Sequence, residues 1–77
     1  KFTPQDWHTH PVTKRKYRVV LKDGRLHRII ARVFEKQPPS AGGGYWYNKV
    51  IWDYNNSKGE RSDRIVTLLA ELGVQNV

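Results

Sequence analysis

The 77-residue chain contains no cysteine, which excludes disulfides, thiolate metal sites and thiol catalysis. It contains no methionine either, position 1 included, as expected of a trimmed product or a domain taken from a longer protein. No apolar run approaches the roughly 20 residues that span a bilayer, and no stretch has the layout of a signal peptide. A soluble, intracellular protein, cytoplasmic or nuclear and with no membrane partner, is the expectation. Acidic residues are scarce: 7 Asp and Glu stand against 14 Lys and Arg, a net charge of +7.

What is present suits one small domain. Three Trp, four Tyr and two Phe supply much of the volume that a modest core needs. The charge is unevenly placed. Residues 1–13 and 37–77 are each neutral, whereas 14–36 hold nine basic residues against Asp23 and Glu35. Charge concentrated in this way creates a local field that attracts polyanions.

Lys16 to Lys22 alternates and is β-branched, and Asp23-Gly24 after it is a strong turn signal. Leu26 to Lys36 continues as a second strand. A three-residue loop, Lys22-Asp23-Gly24, pairs odd positions with odd. It sorts Tyr17, Val19, Leu21, Ile29, Ala31 and Val33 onto one face and Lys16, Arg18, Lys22, Arg28 and Arg32 onto the other, with Val20, Ile30 and Phe34 among them. That register sets Arg18 opposite Arg28, a like-charge pair that an anionic partner would relieve.

Residues 37–44, Gln-Pro-Pro-Ser-Ala-Gly-Gly-Gly, read as a flexible connector and match no phosphate-binding loop. Tyr45 to Tyr54 has the aromatic and β-branched content of a third strand. Placing Trp46, Val50 and Trp52 inward leaves Tyr45, Tyr47 and Lys49 outward, at the cost of an exposed Ile51 and an inward Asn48. A bulge would reverse either half. Ile65, Val66, Leu68, Leu69 and Leu72 recur at helical spacing between Ser62-Asp63 and Gly73, so the last element is an amphipathic helix that packs on the sheet. Thr3 to Asp6 suits either one helical turn laying Trp7 on the core or an extended arm.

The fold class is therefore α+β: a three-stranded antiparallel meander with one C-terminal helix on one face. Its boundaries are an N-terminal arm at 1–15, one domain at 16–73 and a tail at 74–77. Basic groups interleaved with rings on the uncovered face suit nucleic acid, because cations neutralise phosphates and rings stack on bases. The expected contacts are Lys14, Lys16, Arg18, Lys22, Arg28, Arg32, Tyr45, Tyr47 and Lys49, to DNA or RNA, single- or double-stranded. The plainer alternative is a solvated outer face. Another is a protein-interaction module that docks an acidic partner or adds a strand at a sheet edge, centred on Ile30, Phe34 and Ile51.

Asp6, His8 and His10 have the chemistry of metal ligands, but His27 is the only other histidine, and an ordinary polar terminus is the simpler reading. Ser40, Ser57 and Ser62 sit in no nucleophile signature. A nuclease using His27 with Glu35 lacks a constellation that demands it, so neither enzymatic activity nor a cofactor is expected.

Overall fold

The structure, a computed structural model, describes residues 7–74 and 77. Four strands, β1 (Trp7–Thr9), β2 (Lys16–Lys22), β3 (Arg25–Lys36) and β4 (Gly44–Asp53), form one antiparallel sheet in sequential order. A short helix α1 (Tyr54–Ser57) and the longer α2 (Asp63–Leu72) follow. The class is the expected α+β, with four strands in place of three. The extra strand comes from the segment read as an arm: Trp7 pairs with Arg18 and Thr9 with Lys16. Trp7 therefore stands on the sheet rather than in the core, and the helical turn considered for Thr3 to Asp6 lies outside the described residues.

The β2–β3 hairpin reaches odd-with-odd pairing by a different route from the three-residue loop. Asp23 and Gly24 both have positive φ (53° and 78°), as a two-residue type I′ turn requires, and Lys22 pairs with Arg25. Such a turn alone would pair odd with even. His27 is an extra residue in β3, so the register shifts between Val20 and Leu21 and places Val19 opposite Ile29 and Tyr17 opposite Ala31. Arg18 consequently faces Ile30, and the Arg18–Arg28 repulsion does not arise. A second irregularity lies between Ile29 and Ile30, where β4 carries the extra residue Ile51.

The core lies on the α2 side of the sheet. Tyr17, Val19, Leu26, Ile29, Ala31 and Trp52 meet Ile65 and Leu69 of α2, with Val74 closing the end. Fully buried side chains such as Val19 and Ile29 are worth about 1.5–3 kcal/mol each in apolar surface removed from water. The segment read as a tail is thus anchored at Val74. Ser62 caps α2 by accepting the Ile65 amide (3.4 Å), and the Gly73 and Val74 amides donate to Ala70 and Leu69 carbonyls at its end.

Residues 37–44 also depart from a structureless loop. Pro39–Ala41 form a 3₁₀ turn, closed by the Ala41 and Gly43 amides on the Pro38 carbonyl at 2.8 and 3.1 Å. Gly44, at φ 135°, begins β4 where a Cβ would run into the Phe34 ring and the Glu35 carbonyl.

Candidate nucleic-acid interface

Strand alternation and the two bulges determine which side chains share the face that α2 leaves uncovered. Its rows, read across the strands, are Trp7, Arg18, Ile30 and Val50, then Thr9, Lys16, Arg32 and Asn48, then Phe34 and Trp46 on the ribbon where β3 and β4 pair beyond β2. Cations and rings alternate over this surface. The Arg18 guanidinium lies 4.9 Å from the Trp7 ring centroid, and that of Arg32 lies 6.0 Å from Trp46. Phe34 and Trp46 pack at 5.1 Å between centroids. Trp46 is 58% exposed and Trp7 is half-buried.

Between the two indoles runs an open groove of about 510 Å³, lined by Trp7, Thr13, Lys14, Arg15, Lys16, Arg32 and Trp46. Its side wall, the β1–β2 turn, is held by His10. The His10 Nδ1 accepts the Val12 and Thr13 amides, both at 3.1 Å, so its proton sits on Nε2, which faces Glu71 Oε1 of α2 at 3.1 Å. The His10 amide donates to the Arg15 carbonyl (2.8 Å) and the Lys14 amide to the His10 carbonyl (3.0 Å). Lys14 is thereby held at a positive φ of 64° on the groove rim. Only 5% exposed, His10 is thus a structural post between turn and helix. Among the described residues no group of three potential metal ligands gathers.

Electrostatically the groove is one-sided. The Arg18 Nε is buried and finds no acceptor among the described residues, so its desolvation is left uncompensated within the fold. Arg28 differs: its Nε donates to Asp53 Oδ2 at 2.8 Å. That hydrogen bond, assisted by the Asn55 and Asn56 amides and the positive charge, holds the Asp53 carboxyl below its ordinary value of 3.8 despite partial desolvation.

The expected contacts therefore divide. Lys14, Lys16, Arg18 and Arg32 come together at or beside the groove. Lys22 lies at the far hairpin turn opposite Arg25, and Arg28 is already neutralised by Asp53. Tyr45, Tyr47 and Lys49 are on the other side of the sheet, because Ile51 is the bulge residue that resets β4. Tyr47 pairs with Val33 and Lys49 with Ala31, on the face of the core. The same reset turns Trp46, Asn48 and Val50 outward, leaving Trp52 inward with its Nε1 donating to the Glu60 carbonyl at 2.9 Å. Sequence reading missed Trp7, Trp46 and Arg15 as groove residues. A signal for Trp46 existed: the exposed Ile51 and inward Asn48 of an unbroken strand both disappear when a bulge is placed between Val50 and Trp52. No family model, curated protein or solved structure matches the chain.

Proposed function

We propose that this domain binds nucleic acid through the uncovered sheet face. One observation carries the reading: cations from the basic block and two indoles, Trp46 exposed and Trp7 half-buried, converge on one groove, as Arg18 with Trp7, Arg32 with Trp46, and Lys14, Arg15 and Lys16 between them. Phosphates would lie along the cations and release counterions, while the rings meet bases or sugars. Such binding needs neither a catalytic group nor a cofactor. No described helix is long and apolar enough to cross a membrane, and an intracellular setting, cytoplasmic or nuclear, goes with the reading.

The test is a fluorescence-anisotropy titration of labelled DNA and RNA oligonucleotides at two salt concentrations, with wild type and a Lys16→Ala, Arg18→Ala, Arg32→Ala variant. The expected slope of log affinity against log salt is about −0.7 to −0.9 per phosphate contacted, and the variant should flatten it by about 2 to 3 contacts. Binding to no probe at low salt, or binding that ignores the substitutions, overturns the reading.

A second reading has its own support. Ile30, Phe34, Trp46 and Val50 are contiguous on this face, with Phe34 and Val50 44% and 48% exposed, and β4 has an edge unpaired among the described residues. Those features suit an acidic protein partner or an added strand. Retained partner capture by the triple-Ala variant, with loss in Phe34→Ser, would favour it.

A further inference from the structure

We propose that the groove between Trp7 and Trp46 holds one unstacked nucleotide, so that the domain selects single-stranded polynucleotide over duplex; this rests on the nucleic-acid reading of the open face.

Width supplies the first argument. Neighbouring strands lie about 4.8 Å apart, so the outer backbones of four strands stand roughly 14 Å apart before side chains are added. A major groove about 12 Å wide admits a helix or a two-stranded ribbon, not this whole face. The groove residues come from β1, the β1–β2 turn, β2, β3 and β4, so a duplex that accepted only the β3–β4 ribbon would leave Trp7, Lys14 and Lys16 unused. Pliable single-stranded backbone can cross all of them.

Ring chemistry supplies the second. An indole gains most from the face of a base, and in a duplex those faces are occupied by neighbouring bases. Trp46 is packed on one side by Phe34 at 5.1 Å and remains more than half exposed, and Trp7 is backed by Arg18 at 4.9 Å. Both rings are braced from behind, which lowers the ordering cost of stacking from the front. The groove volume of about 510 Å³ falls within the roughly 300–1,000 Å³ common for small-ligand sites. An indole at its end offers a stacking surface for the base, and its cationic middle offers a site for the phosphate of the same nucleotide. The turn at Thr13 to Arg15 is fixed by His10 and by the Arg15 amide donating to Thr13 Oγ1 at 3.3 Å. It presents Lys14 and Arg15 from a held backbone.

The shared chemistry is an unpaired base on a phosphodiester chain, and both DNA and RNA supply it. The experiment titrates the intact domain against fluorescein-labelled oligo-dT and oligo-rU of about 12 nucleotides, a length within common single-strand site sizes, and against DNA and RNA duplexes of equal length. Trp46→Leu and Trp46→Phe are tested beside wild type, their folds checked by circular dichroism. Single strands should bind at least tenfold more tightly than either duplex. Trp46→Leu should weaken single-strand binding about 5- to 150-fold, the effect of removing one stacked base, with Trp46→Phe recovering most of it. A dT or rU preference would identify the source. Duplex binding as tight as single-strand binding, or Trp46→Leu at wild-type affinity, overturns this proposal and leaves the broader reading standing if salt dependence persists. No binding to any of the four probes overturns both.

Discussion

Val19 and Arg18 are neighbours in β2, yet Val19 is fully buried in the core shared with α2, while Arg18 lies against Trp7 on the uncovered side with its Nε unsatisfied. The same contrast runs along the sheet. On the closed face Ile29 and Ala31 pair with Val19 and Tyr17 beneath Ile65 and Leu69, and the polar Trp52 Nε1 and His10 imidazole have partners. On the open face Arg18 lies against the half-buried Trp7 and Arg32 against the exposed Trp46, with Lys16 lining the same groove. Folding free energy is concentrated on the first face, where apolar area leaves water. The second collects groups with unmet hydrogen-bonding and stacking capacity. The difference teaches that apolar packing is gathered on one face, which leaves the side chains of the other less constrained by the core.

The contrast is sharpest in a truncation series. Ile29→Ala should lower unfolding free energy by about 2–5 kcal/mol, a large part of what a domain of this size possesses, measured by urea denaturation. Equal losses from truncating Trp46 would break the comparison.

Next in size is the contact that joins the two faces at the end of β4. Asp53 accepts from Arg28 on the open face and caps α1 through Asn55 and Asn56. Because its folded pKa lies below 3.8, its contribution is complete above the unfolded value and disappears as pH falls through the lower folded value. Urea midpoints of wild type and Asp53→Asn should therefore differ at pH 5 to 6 and converge in strong acid. A gap that stays constant to low pH would remove Asp53 from this role.

The smallest effect is the most telling. Arg18→Met keeps a long side chain against Trp7 and removes the buried unsatisfied Nε, so stability should stay within about 0.5 kcal/mol of wild type or rise. Clear destabilisation would show that Arg18 belongs to the fold after all.

Local chemistry made part of this readable in advance. The α2 boundaries follow from Ser62, Gly73 and the leucine spacing, and the sorting of β2 and β3 follows from alternation and Asp23-Gly24. What escaped depends on distant partners. Trp7–Thr9 contains two residues that favour strands, but a run of three is too short to announce one and becomes a strand only by pairing with β2. The bulges at His27 and Ile51 are compromises between turn geometry and the demand that Leu26, Ile29 and Trp52 all meet the helix. No neighbouring residue announces them. Ile51 in particular exchanged the two tyrosines for Trp46 in the candidate site, and the Arg28–Asp53 pair spans 25 residues.

The His27 bulge makes one residue of the β2–β3 hairpin spare. Deleting His27 would leave Leu21 opposite Leu26, Val20 opposite Arg28 and Val19 opposite Ile29, so Ile29, Ala31 and Val33 would stay on the core side and Arg28, Ile30 and Arg32 on the open side. A deletion within the paired run that follows, from Arg28 to Ala31, has no such slack and would turn the residues beyond it to the opposite face.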